Sequence, residues 1–198
     1  MAVCVLTGDI VGSTDLTSAQ QRQVMDAVGQ AFEDLADGNG PTFDTYRGDG
    51  WQMSFPTVGL GLRYALYIRA LLRSKHEDFE TRIAIAEHHG ETRRSHRIAT
   101  PFTQSGRSLD AMPDDVLLSH ASGGPLQAAT LLADRISRGW TNAQAKAIRY
   151  LLPPDADLTQ KVIARHLGIS RQAVGQALDA AAYPVIKRAL AAIEGQAK

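Results

Sequence analysis

The chain has 198 residues, enough for one large domain or a main domain with a small appendage. Its hydrophobic content of 44% supplies a packed core, and Lys+Arg and Asp+Glu both number 21, so any attraction to nucleic acid has to be local rather than global. The lone Cys4 makes no internal disulfide, no apolar run approaches the roughly 20 residues of a bilayer span, and no basic region precedes the first apolar run. The expectation is a cytoplasmic protein without membrane association.

"AVCVLTGD" reads as a buried strand ending at Gly8-Asp9. In "TSAQQRQVMDAVGQAFEDLADG", Val24, Val28, Phe32 and Leu35 recur at helical spacing, with Gly38 as the stop. A hairpin follows, from "PTFDTY" through Gly48-Asp49-Gly50 to "WQMSF", where Trp51, Met53 and Phe55 alternate. "TVGLGLRYALYIRALLRS" predicts a second helix burying Leu62, Ala65, Ile68 and Leu72, and "TRIAIAEHHGE" another core strand. The order β-α-β-β-α-β is the ferredoxin-like one. Residues 91–122 mix loop, a short helix near Ser105 to Met112, and a strand "DVLLSHA". After "SGGP" everything reads as helix, which divides the chain into a 1–122 α/β domain and a 123–198 helical region.

Within that region, about 141–182, "LTQKVIARHLGISRQAVGQALDAA" has the helix, short Gly-containing turn, helix pattern. Val162, Ile163 and Leu167 face inward, Ala164 is small at the crossing, Ile169 plugs the turn, and Val174 and Leu178 anchor the second helix. Ser170 caps that helix, leaving Arg171, Gln172, Gly175 and Gln176 for base edges, while Thr159, Gln160 and Lys161 meet phosphate. Arg and Gln pair bidentately with guanine and adenine, so double-stranded DNA is the expected partner. Such modules usually pair, and the last helix, with Val185, Ile186, Leu190 and Ile193, is a candidate homodimer face, as is the sheet of the first domain.

Two carboxylates carry the other signal. Asp9 ends the first strand and Asp49 sits in the hairpin, and in a ferredoxin-like sheet the first and third strands are neighbours. Each alone is an ordinary turn or cap residue. Side by side they repel unless a cation lies between them, and Mg2+ or Mn2+ with phosphate oxygens suits such a pair. The loop Ile10, Val11, Gly12, Ser13 and Thr14, with Arg47 and Gly48 across from it, is placed to meet the phosphates of a nucleotide.

"GDIVGST", "RGDGWQMSF" and "TRIAIAEHHGE" resemble, in this order, signature stretches of class III nucleotidyl cyclase domains. The resemblance implies that Asp9 and Asp49 are the metal-binding aspartates. The opening "GDI", with "WTNAQAKAI" and the helix-turn-helix stretch, is similar to SatD-family proteins over nearly the whole chain. Where cyclases carry a purine-reading lysine this chain has Thr45, and where they carry the Asn and Arg that stabilise cyclisation it has Gly106 and Asp110. An acid there opposes the developing negative charge.

The reading is therefore a DNA-binding transcription regulator that senses a nucleotide without efficient turnover. The alternative is an active cyclase or nucleotide hydrolase whose helical module serves dimerisation. Residues Glu87, His88, His89 and Glu91 read as a strand end near the nucleotide pocket, and Arg93, Arg94, His96 and Arg97 as a local basic cluster.

Overall fold

The computed structural model describes residues 2–38, 40–46, 48–90 and 100–196. Arg47, Glu91 and the basic cluster of Arg93, Arg94, His96 and Arg97 lie outside the described residues. The chain runs β1 (Val3–Ile10), α1 (Ser18–Leu35), β2 (Thr42–Tyr46), β3 (Gly50–Phe55), α2 (Gly61–Lys75), β4 (Thr81–His88), α3 (Pro101–Asp110) and β5 (Leu118–His120). It continues through α4 (Gly124–Arg138), α5 (Asn142–Ile148), a 3-10 turn at Arg149–Leu151, α6 (Gln160–Leu167), α7 (Arg171–Ala180) and α8 (Tyr183–Gln196). The class is mixed α/β: one five-stranded sheet in the order β2-β3-β1-β4-β5, antiparallel throughout except for the parallel β4–β5 pair.

Alternation decides the two faces of the sheet. Cys4, Leu6 and Ile10 of β1, Met53 and Phe55 of β3, and Ile83 and Ile85 of β4 join Val24, Val28 and Leu35 of α1 and the apolar side of α2 in one buried cluster. On the opposite face α3 lies against β1 and β4, where Thr7 and Ser105 share a 2.6 Å hydroxyl hydrogen bond and Ala84 meets Leu109 and Met112. Val5, Ser54 and Ala86 on that face are buried as well, whereas Asp44 and Tyr46 of β2 are exposed.

Helix α2 is buried almost all round, which the sequence pattern understates. Its second side meets the C-terminal helices, so a single apolar cluster continues from the sheet through Trp140, Ile148 and Leu152 to Ile163, Val174 and Leu178, across residue 122. Polar ties reinforce the seam. Asn142 Nδ2 donates to the last carbonyls of α2, at Arg73 (2.9 Å) and Ser74 (3.1 Å), filling acceptors that a helix end leaves open. Arg63 holds Glu194 through Nε (2.6 Å) and Nη2 (2.9 Å), and Arg69 meets Asp134 deep inside.

Three expectations are corrected. Helix α3 starts at Pro101, capped by Thr100, not at Ser105. Strand β5 keeps only three residues of "DVLLSHA". Helix α8 spends Ile186 and Leu190 on the core of its own chain, so these two are not available to a partner, while Val185 is exposed.

Candidate functional site

Strand register brings the two carboxylates to one place. Gly8 pairs with Trp51 and Asp9 with Gly50, and the next amide, Ile10 N–H, donates to the carbonyl of Asp49 at 3.1 Å. Two glycines make this pairing possible. A Cβ on Gly8 would lie 2.4 Å from the Trp51 ring, and one on Gly50 would lie 2.7 Å from the Tyr46 ring. Trp51 thereby fills the core, its indole N–H donating to Thr81 Oγ1 at 3.0 Å, while Tyr46 lies over Gly50 beside Asp9.

The result is a cavity of about 410 Å³ lined by Thr7, Asp9, Tyr46, Asp49, Gly106 and Asp110 among others. Its size falls in the range of small-molecule sites. The third carboxylate, Asp110, comes from the end of α3, and Gly106 stands one helical turn before it. Thr45 is exposed on β2, and Tyr46 rather than Thr45 is the β2 side chain that lines the cavity.

A cation already sits on Asp9. Arg82 of β4, cross-strand from Asp9, donates Nε–H to Oδ1 at 2.8 Å and Nη2–H to Oδ2 in a two-pronged pair. The hydrogen bonds to Asp9 raise the Arg82 pKa above its ordinary value, with the charges of Asp9, Asp114 and Asp110 adding to them against a partial loss of hydration. Asp49 Oδ2 accepts from Ser13 Oγ at 2.7 Å, which ties the loop after β1 to the hairpin. Among the described residues no three His, Cys, Asp or Glu side chains are grouped closely enough to hold a metal ion. Asp9, Asp49 and Asp110 bring hard carboxylate oxygens to one cavity, and the Arg82 guanidinium engages both oxygens of Asp9.

Of the loop residues expected to face phosphate, Ile10 and Val11 have committed amides: Val11 N–H donates to Glu80 O at 3.1 Å, as Ile10 does to Asp49. These two hold the loop in place. Gly12 turns the chain, with Asp15 N–H donating to its carbonyl at 2.9 Å, and Gln21 Nε2 donates to the Ser13 carbonyl. Helix α1 begins only at Ser18, after its own capping box of Thr17 and Gln20, so Gly12, Ser13 and Thr14 stand ahead of the helix and not on it. Gly48 flanks Asp49 in the hairpin turn.

At the other end of the chain α6 and α7 meet through buried Ile163, Ala164, Val174 and Leu178. Gly168 takes the left-handed conformation (φ 67°), and Ile169 N–H reaches back to Ala164 O at 3.1 Å, the helix-ending pattern that glycine favours. Ile169 itself is 44% exposed and does not plug the turn as expected. Thr159 and Ser170 are the two N-caps, accepting from Val162 N–H (3.4 Å) and Ala173 N–H (3.0 Å). Thr159, Gln160, Lys161, Ser170, Arg171, Gln172 and Gln176 are all exposed, and Gly175 is half-buried beneath the Gln160 side chain.

The Glu87–His89 stretch is not near the carboxylate cavity. Glu87 pairs with Cys4 and Arg82 with Asp9, five positions apart on β1, or about 17 Å at strand spacing. Glu87 Oε1 accepts from Gly59 N–H (3.0 Å) and Gly61 N–H (3.1 Å), a structural role at the start of α2. Burial, helped by Glu87, pushes the Cys4 thiol well above its ordinary pKa, which leaves it an inert core residue. Sequence reasoning missed Arg82, whose only signal was a basic residue at the start of β4.

No helix among the described residues is long and apolar enough to cross a membrane. The chain matches no family model, and no curated protein matches its sequence.

Proposed function

We propose that this is a DNA-binding transcription regulator of the cytoplasm, a helix-turn-helix module joined to a ferredoxin-like, cyclase-like domain of SatD type. The observation that carries the reading is the α6–α7 pair: its inward side is apolar and closed, while Lys161, Arg171, Gln172 and Gln176 present donors outward beside two capped helix N-termini. The strand order β2-β3-β1-β4 and the two crossover helices support the ferredoxin-like part. The cavity of Asp9, Asp49 and Asp110 takes a nucleotide, Asp9 and Asp49 hold an accompanying Mg2+ or Mn2+, and the neighbouring Gly12, Ser13, Thr14 and Gly48 are the candidates for its phosphates. A divalent ion there supplies charge neutralisation for the phosphates. Asp110 and Gly106 on the cavity wall favour binding over turnover, since neither stabilises negative charge. Pairing of two copies would use the exposed apolar residues of α4, Leu132 (69% exposed) and Ile136, rather than α8.

The test starts from a duplex selected by the wild-type protein from a random pool. At fixed salt, Arg171→Ala and Gln176→Ala each weaken binding to it by about 1–3 kcal/mol for every base edge that the truncated side chain no longer reads, while their thermal unfolding stays at the wild-type midpoint. Wild-type affinity in both variants removes the groove assignment. A wild type that selects no sequence returns the helical module to the alternative, a dimerisation element of an active nucleotide enzyme.

A further inference from the structure

We propose that Arg82 is the resident cation on Asp9: it keeps divalent ions off that carboxylate in the free protein and passes from it to the phosphates of an incoming nucleotide. The second half of this statement rests on the nucleotide reading above; the first half does not.

Four observations carry it. Both oxygens of Asp9 are engaged by one guanidinium, the side chain directly cross-strand from it. The pair is partly open to solvent, the side chains being 31% and 25% exposed, so it is weak enough to exchange. Asp49 and Asp110 line the same cavity as Asp9, so neutralising Arg82 leaves the negative charge of Asp9 beside theirs without its cation. The fourth concerns the loop: Ser13 already fastens Asp49, so of the two strand-end carboxylates the one that must be freed is Asp9.

The chemistry of exchange is favourable in one direction only. A guanidinium fork fits a carboxylate and a phosphate equally well, with two parallel N–H donors in each case. Arg82 therefore keeps its hydrogen bonds when it passes from Asp9 to a phosphate. A lone divalent ion offers no such acceptor, and its approach sets a double positive charge beside a single one. Metal entry is thus coupled to nucleotide entry through one side chain, and by linkage each favours the other.

The experiment has two arms. In the first, Mn2+ alone is titrated into the full-length protein and the free ion is followed by electron paramagnetic resonance. Arg82→Gln binds Mn2+ at least about tenfold more tightly than wild type, because a unit positive charge a few ångströms from the ion is gone. Arg82→Lys, which keeps the charge without the fork, falls between them. The double variant Asp9→Asn/Arg82→Gln loses the gain. Equal Mn2+ affinity in wild type and Arg82→Gln, or a gain that survives Asp9→Asn, overturns the proposal. In the second arm, ATP and GTP are titrated calorimetrically in the presence of a chelator. Arg82→Gln then binds the wild type's preferred nucleotide about tenfold more weakly, through loss of a charge-assisted pair; unchanged affinity overturns the phosphate step. If the wild type binds neither nucleotide, the nucleotide reading fails while the Mn2+ arm still decides the role of Arg82.

Discussion

Asp134→Ala is the substitution most able to test how the two halves of the chain depend on each other. Asp134 on α4 and Arg69 on α2 are 3% and 2% exposed, and Arg69 Nη1 lies 2.8 Å from Asp134 Oδ1. Arg69 Nη1 also donates to the Asp134 carbonyl (3.2 Å) and to Ser137 Oγ (2.7 Å), while Asp134 Oδ2 accepts from Leu117 N–H at 3.3 Å. Burial lowers the Arg69 pKa from its ordinary value, and Asp134 pulls it back up. Removing the carboxylate leaves a buried guanidinium uncompensated, which costs about 3–5 kcal/mol. For a chain of this size each kcal/mol moves the melting point by about 2–4 °C, so the fall is about 6–20 °C. Urea unfolding followed by circular dichroism and by tryptophan fluorescence reads the change. The two signals coincide in the wild type, because the core is continuous across residue 122. The double variant Arg69→Met/Asp134→Leu recovers part of the stability, since no buried charge is left unpaired, although Leu117 N–H loses its acceptor. A single variant destabilised by less than about 1 kcal/mol, or a double variant as unstable as the single one, refutes the coupling.

Two further outcomes follow from packed groups. His120 is 4% exposed and burial holds its pKa below the ordinary histidine value, with Glu87 opposing, so the unfolded chain binds a proton that the folded one refuses. Stability therefore falls as pH drops below about 6.5, and His120→Gln flattens that slope between about pH 7.5 and 5.5; parallel slopes in the urea midpoints would contradict this. Gly8→Ala drives a methyl group into the Trp51 ring and the Arg82 carbonyl, at 2.4 and 2.5 Å, costing about 1–3 kcal/mol or more and shifting Trp51 emission to the red, whereas an unchanged midpoint and spectrum would show that β1 and β3 yield without cost.

Much of the element order is legible because the local signals are strong. The capping boxes at Thr17 and Thr141, the alternation in "WQMSF" and the Gly168 stop all act within a few residues. What the sequence hides is decided at long range. A helix pattern tells which side is apolar, not whether a second layer covers the other side. Helix α2 carries Arg63, Arg69 and Arg73 beside its apolar stripe, yet Arg69 is buried under α4 and Arg63 is held by α8. The apolar stripe of α8 reads as a free interface for the same reason: nothing local says that its partner is the same chain.

The carboxylate site divides along the same line. Asp9 and Asp49 are found together because each ends or flanks a strand, and one assumption about strand order suffices to join them. Arg82 needs a second step, the register of β4 against β1, and a lone Arg at the start of an apolar strand looks like an ordinary solvent-facing residue. The step is nevertheless open to sequence reasoning. Once β1 and β4 are taken as antiparallel neighbours, the last polar residue of "AVCVLTGD" falls near the first basic residue of "TRIAIAEHH", and opposite charges placed across a ladder attract. A motif search weighs each stretch by itself and so finds two acids that ask for a cation. Laying the stretches side by side finds the arginine that pairs with the first of them.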